Sequence, residues 1–198
     1  MPLILEGITD PFVAFDRWYA EAVEHEPDVP NAMQLATLGE DGRPRVRTVL
    51  LKAHGPEGFV FYTNLKSRKG TDLGANPHVG LVFHWKSLQR QVHAYGTASL
   101  VSDAEADAYF ATRDRGSQLG AWASRQSAPL PAPGALEASL AEVEARFAGK
   151  EVLRPGHWSG YRIRCDEVEF WQGRPSRLHD RVRFTHRAGV WARDTLFP

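Results

Sequence analysis

The sequence predicts a mainly β protein with added helices, its strands antiparallel and closing into a barrel. Two patterns lead there. Short apolar or alternating runs recur along the chain between turn residues, and the helical stretches interrupt them irregularly, where a doubly wound sheet would alternate strand with helix. At 198 residues the chain suits a single domain with an amino-terminal helix and two further helices.

The first element is a helix. Asp10 suits its N-cap, Pro11 its first turn, and Phe12, Phe15, Tyr19, Ala22 and Val23 recur at helical spacing until Pro27 and Pro30 end it. Residues 32–38 and 46–53 read as strands joined through the turn Glu40-Asp41-Gly42. Residues 58–64, 78–85 and 91–101 continue the series, with a short helix at 67–73. Ser102 or Asp103 can cap a helix reaching about Thr112, and a second helical pattern covers 134–147 after the Pro-rich loop 128–133. Strands return at 160–165, 168–172, 182–186 and 190–193, the last two joined by Arg187-Ala188-Gly189.

Composition excludes several functions. Lys+Arg and Asp+Glu balance at 24 each, so there is no global basic field of the kind that draws a protein onto nucleic acid or anionic membrane. Any anion site must be local. Cys165 is the only cysteine, which rules out an internal disulfide and a spaced cysteine metal site, and it reads as a small core residue. The start MPLILEGITDPF lacks the basic residues and long apolar stretch of a signal peptide, and no run reaches the length of a membrane span. A cytoplasmic location is the expectation. Glycine-rich dinucleotide, Walker, serine-hydrolase and two-histidine metalloprotease motifs are all missing from the sequence, and no metal is expected.

Four constellations can carry chemistry. If Arg177-Leu178-His179-Asp180-Arg181 is extended, Arg177, His179 and Arg181 share a face that suits an anion or an electron-rich ring, although a solvated strand face explains the spacing as well. In Arg45-Val46-Arg47-Thr48-Val49-Leu50-Leu51-Lys52, Arg47 and Lys52 differ in parity. A single ligand meets both only at a strand end, at a bulge or across a subunit boundary, and surface charges bracketing a core strand fit equally. Asn64-Leu65-Lys66-Ser67-Arg68-Lys69 enters a helix whose first amides can cradle phosphate, although Ser followed by basic residues is also a common solvated helix start. Tyr109, Arg113 and Ser117, four residues apart near the end of a helix and its exit, can surround a second phosphate, with core packing the alternative for Tyr109.

Taken together, these stretches resemble the pyridoxamine 5′-phosphate oxidase family, nearly collinearly from about Asp10 to Arg193. The resemblance rests on "EFWQGRPSRLHDR", with "RTVLLK", "FYTN", "SRK", "RQV", "SQLGAWASRQS" and "HWSGYR" in the family's order. It implies an FMN-binding split barrel and a homodimer with FMN in clefts between the subunits. It also implies oxidation of pyridoxamine or pyridoxine 5′-phosphate, a small phosphorylated pyridine, by molecular oxygen. Carried over position by position, the FMN contacts are Arg47, Thr48, Val49, Leu50, Leu51, Lys52, Tyr62, Thr63, Arg68, Lys69, Gln91, Gln126, Ser127, Trp171 and Arg181. Lys52, Tyr109, Arg113 and Ser117 hold the substrate phosphate, while Arg177, Leu178 and His179 meet the pyridine ring, Arg177 and His179 being the catalytic pair. Related readings are a flavin oxidase of another aromatic substrate, as in phenazine formation, and a non-catalytic flavin or pyridoxal-phosphate binder. Two departures stand out. The residues before Asp10 lack the family's Arg-x-x-Tyr element, and Thr195-Leu196-Phe197-Pro198 replaces its terminal Arg-Leu-x-Pro.

Overall fold

A computed structural model of the chain describes residues 4–198. Helix α1, Pro11–His25, begins where the Asp10 carboxylate accepts a hydrogen bond from the Phe12 amide at 2.8 Å, with Pro11 in the first turn, where its missing N–H has no helical partner to lose. Phe12, Phe15, Trp18 and Ala22 are buried. This stripe faces the sheet: the Phe15 ring lies 4.8 Å from Phe59 and 5.0 Å from Phe83. Each such ring, once buried, contributes roughly 1.5–3 kcal/mol.

The described residues form nine strands in one antiparallel sheet. These are β1 Ala32–Leu38, β2 Pro44–Leu50, β3 Ala53–Gly55, β4 Gly58–Asn64, β5 His78–Trp85, β6 Arg90–Leu100, β7 Trp158–Gln172, β8 Asp180–Arg187 and β9 Val190–Leu196. Neighbours follow the order β2-β1-β5-β6-β7-β4-β3, and β8 with β9 branches from β7. Helix α2, Arg68–Ala75, links β4 to β5, and α3 Asp103–Ala111, α4 Arg115–Ala123 and α5 Ala135–Arg146 fill the excursion between β6 and β7. No helix among the described residues is long and apolar enough to cross a membrane.

Strand β7 explains the branching. β6 accompanies it from Tyr161 to Gln172, while β4 pairs with Trp158–Ile163 and β8 with Glu167–Gln172. Asp166 has no partner on β6, because the register shifts between Tyr95 and Gly96. Such an unpaired residue bends and twists the strand, so its two halves face different neighbours. Gly96 makes the close approach possible, since a Cβ there would stand 2.0 Å from the Arg164 carbonyl oxygen. The two expected strands at 160–165 and 168–172 are therefore one bent strand.

The expected strand 46–53 divides for a different reason. β2 pairs with β1 and β3 with β4, which are opposite ends of the sheet path, so the chain crosses between them at Leu51 and Lys52. The Leu51 amide donates to Asn31 O and the Lys52 amide to Val60 O, both at 2.8 Å, and the Leu51 side chain is buried in the main core. This crossing curls the sheet into a half-barrel around Phe15, Phe59, Phe61, Phe83 and Phe170. A second cluster, Phe110, Leu119, Phe147, Val152 and Trp158, sits under α3, α4 and α5. Cys165 is a core residue as expected, and burial pushes its thiol up to about 12.

Gly96→Ala should lower stability by about 1–3 kcal/mol, because the new methyl group must separate β6 from β7. Gly74→Ala in α2 meets open space and should instead be neutral or stabilising by about 0.5–1 kcal/mol. Urea midpoints measure both, and equal midpoints would show that the bulge accepts a Cβ without strain.

Candidate active site

A cleft of about 540 Å³ opens between the β2–β3 crossing, β4 and the α3–α4 corner. Its first wall is built on α2. Ser67 caps this helix, accepting from the Gly70 amide at 3.4 Å, and so sets Lys69 in the first turn. The Lys69 ammonium donates to Thr63 Oγ1 at 3.0 Å, Gln126 Oε1 at 3.0 Å and Ser67 Oγ at 3.3 Å. All three acceptors are formally neutral. Burial pushes its pKa down, and the nearby Arg47 adds to the effect.

The opposite wall is aromatic. The rings of Tyr62 and Tyr109 stack at 3.9 Å between centroids and 13° between planes, and Trp158 continues the pile at 5.3 Å and 10° from Tyr62. The Arg113 guanidinium lies 4.9 Å above the Trp158 ring and 5.6 Å from Phe110, its Nη1 buried without a hydrogen-bond partner. Burial lowers the Arg113 pKa, opposed by Tyr109 and Asp114. Lys52 Nζ stands 6.0 Å from the Tyr109 ring. Neither Arg113, Lys52 nor Lys69 forms a salt bridge among the described residues.

Tyr109, Arg113 and Ser117 do come together, but not around one helix end. Tyr109 belongs to α3, Arg113 to the corner after it, and Ser117 to the first turn of α4, a helix absent from the expected elements. Asp114 caps α4, accepting from the Ser117 amide at 2.8 Å, and this holds the Ser117 carboxyl-side neighbours in helical geometry. Thr48, Val49, Leu50, Lys52, Tyr62, Thr63, Lys69 and Gln126 line the same cleft. Leu51 does not, being in the core.

Arg47 does not line this cleft, because its guanidinium is engaged by β1 and α2. It donates to Thr37 Oγ1 at 2.6 Å and Leu35 O at 3.3 Å, with Asp72 Oδ2 at 3.5 Å. Asp72 is 2% exposed and also accepts from Thr37 at 2.8 Å and from Arg45. This buried carboxylate, not singled out in the sequence, ties α2 to β1 and β2. Arg68 and Ser127 line an adjoining cleft of about 1010 Å³ that shares Gln126 with the first.

The remaining residues lie apart. Gln91, Trp171 and His179 line a depression of about 300 Å³ that has no residue in common with the first cleft. The extended reading of 177–181 is overturned: Pro175–Arg177 forms a 3-10 turn, Ser176 and Arg177 have φ of 58° and 61°, and β8 begins only at Asp180. Three cations therefore do not share a face. Arg181 is held by Glu169 through two bonds of 2.8 and 3.0 Å, His179 packs 4.6 Å from Trp171 while its Nδ1 accepts from the Arg174 amide, and Leu178 is 69% exposed. The Arg-Pro-Ser sequence favours this turn, since proline cannot donate to a ladder.

The donor set of the first cleft fits phosphorylated ligands. Lys69 and Arg113 are partly desolvated cations without carboxylate partners, a state that is costly until an anion arrives. Gln91 and Trp171 offer an amide and a flat ring suited to a polar heterocycle.

Residues 20–147 match the family model described as pyridoxamine 5′-phosphate oxidase, and residues 158–198 match that of the pyridoxine 5′-phosphate oxidase C-terminal dimerisation region. A pyridoxine/pyridoxamine 5′-phosphate oxidase of Sphingopyxis alaskensis is 57% identical over 96% of this chain and 88% of its own length. One from Zymomonas mobilis is 53% identical over 96% and 98%. Among solved structures, PhzG from Burkholderia lata in complex with tetrahydrophenazine-1-carboxylic acid superposes with a TM-score of 0.90 at 30% identity, covering 98% of this chain and 95% of its own. A pyridoxamine 5′-phosphate oxidase-related, FMN-binding protein from Nostoc punctiforme shares the fold, with a TM-score of 0.75 at 16% identity over 93% and 97%. The FMN-binding split barrel expected from the sequence is thereby the fold observed.

Asp72→Ala leaves Arg45 and Arg47 without their shared carboxylate and should cost about 3 kcal/mol in a urea unfolding experiment. A loss below about 1 kcal/mol would mean that water replaces the pair at this site.

Proposed function

The chain belongs to the pyridoxamine 5′-phosphate oxidase family, and from that premise we propose that it oxidises pyridoxamine and pyridoxine 5′-phosphate to pyridoxal 5′-phosphate, using FMN as cofactor. For the amine, substrate, oxygen and water become pyridoxal phosphate, ammonia and hydrogen peroxide; for the alcohol, no water is consumed and no ammonia is released. FMN, when bound, supplies the two-electron acceptor and the route to molecular oxygen.

The observation that carries this reading is the presence of two unpaired, desolvated cations, Lys69 and Arg113, in one cleft. A protein that only bound a flavin would need one phosphate site. Here Lys69, with Gln126, Ser127 and Arg68 near it, suits the cofactor phosphate. Arg113, with Lys52, Tyr109 and Ser117, suits that of the substrate. The bonds that Lys69 makes to Thr63 and Gln126 keep its ammonium in place before the ligand binds.

Gln91, Trp171, Arg181 and the Arg177-Leu178-His179 turn complete the site from a second copy of the chain. The division of the expected residues between two unconnected clefts supports this, as does the match of 158–198, which contains Trp171 through Arg181, to a dimerisation region. In such a dimer Arg177 and His179 orient the pyridine ring. The closed cleft excludes water, and the aldehyde is released after the chemistry. Identity above 50% to the vitamin B6 oxidases, against 30% to the phenazine protein, favours this substrate class.

The purified protein should carry FMN and not FAD, identified by chromatography of the released flavin, and should form pyridoxal phosphate and peroxide in equal amounts from pyridoxamine phosphate. Arg177→Ala should keep its flavin but lose about 30-fold or more in kcat/KM, the effect of removing a charged partner from a desolvated contact. Lys69→Ala should shed flavin on dilution and regain activity with excess FMN. Flavin loss from Arg177→Ala with normal turnover at saturating FMN would remove the turn from the substrate site.

A further inference from the structure

Building on the proposed function, one residue outside the expected site has a geometry that the substrate phosphate would depend on. Trp158, at the start of β7, is 6% exposed, and composition alone would class it as core. Its surroundings are more specific than that. Arg113 sits on a corner between two helices, and no carboxylate holds its guanidinium among the described residues. What holds it is the face of Trp158 at 4.9 Å, with Phe110 at 5.6 Å. Trp158 also packs nearly parallel to both tyrosines of the cleft, 5.3 Å from Tyr62 and 6.2 Å and 3° from Tyr109.

We propose that Trp158 is a positioning residue for recognition of the substrate phosphate: its indole seats the Arg113 guanidinium and, together with Tyr62, keeps the Tyr109 ring in place. An aromatic face fixes a guanidinium without neutralising it, whereas a carboxylate would compete with the phosphate for the same charge. The backbone that carries the indole is itself held. The Trp158 amide donates to Pro155 O at 2.9 Å, and the Trp158 carbonyl accepts from Arg154 Nη1 at 2.8 Å. Arg154 is in turn clamped by Asp103 and Asp107 of α3, the helix that carries Tyr109. Opposite Tyr62 on β7 stands Gly160, where a Cβ would come within 2.7 Å of the Tyr62 ring, so the pile also depends on that glycine.

The test compares Trp158→Leu, which keeps apolar bulk without a π face, with Trp158→Phe, which keeps a smaller face. On FMN-loaded enzyme, Trp158→Leu should raise KM for pyridoxamine phosphate about tenfold, in the range of a desolvated cation–π contact, with kcat and FMN affinity changed less than about threefold. Trp158→Phe should recover most of that affinity. In an Arg113→Ala background the Leu substitution should add less than about twofold, and oxidation of unphosphorylated pyridoxamine should not respond to it. Equal losses on both substrates, additivity with Arg113→Ala, or a fall in kcat or flavin affinity at unchanged KM would each overturn the proposal and leave Trp158 a packing residue. If Trp158→Leu does not fold, the Phe variant and its Arg113→Ala double carry the same comparison. If the wild-type protein fails to oxidise pyridoxamine phosphate, the proposed function falls. Calorimetric titration with pyridoxal 5′-phosphate then decides the inference alone: weaker binding by Trp158→Leu upholds it, and unchanged or absent binding overturns it.

Discussion

The unpaired Asp166 on β7 is the constraint from which the rest of the architecture follows. A strand of 15 residues cannot keep the same neighbour on both edges in a small curled sheet, and the bulge lets it exchange β4 for β8 while β6 stays alongside. The first half of β7 thereby closes the half-barrel and carries Trp158 and Gly160 to the cleft. The second half projects Trp171 and receives Arg181 across from it. Gly96 is the local requirement, because any side chain there would strike the backbone of β7.

Charge is arranged around this frame by a simple division. Arginines that hold the structure have carboxylates: Arg45 and Arg47 share Asp72, Arg154 has Asp103 and Asp107, and Arg162 has Glu105. The cations of the cleft do not. Lys69 rests on neutral oxygens and Arg113 on aromatic faces, so their positions are set while their charge stays available. A protein with equal numbers of acidic and basic residues can build a local anion site in this way, without any surplus of positive charge.

Much of this was legible because it is local. β1, β4 and β5 match the strands read from alternation and turn residues, and α1 begins at the expected cap. The departures have tertiary causes. The sequence pattern of α4 is weak because of Gly116 and Gly120, and the helix is held by the Asp114 cap and by Leu119 packing in the second core. Residues 177–181 share a cationic face only if the segment is extended, and Pro175 with the positive φ of Ser176 and Arg177 makes its first part a turn instead.

The sequence by itself determined the fold class, the local anion-binding residue types and the family, since each depends on residue identity and short-range periodicity. The tertiary structure decided which of those residues meet. Lys52, Tyr109, Arg113, Ser117 and Lys69 are separated along the chain yet line one cleft, and Gln91, Trp171 and His179 line another. It also decided that Arg47 answers to Asp72 and Arg113 to Trp158. Those partners are tens of residues distant in the chain, and only the curl of the sheet and the bend of β7 bring them within reach.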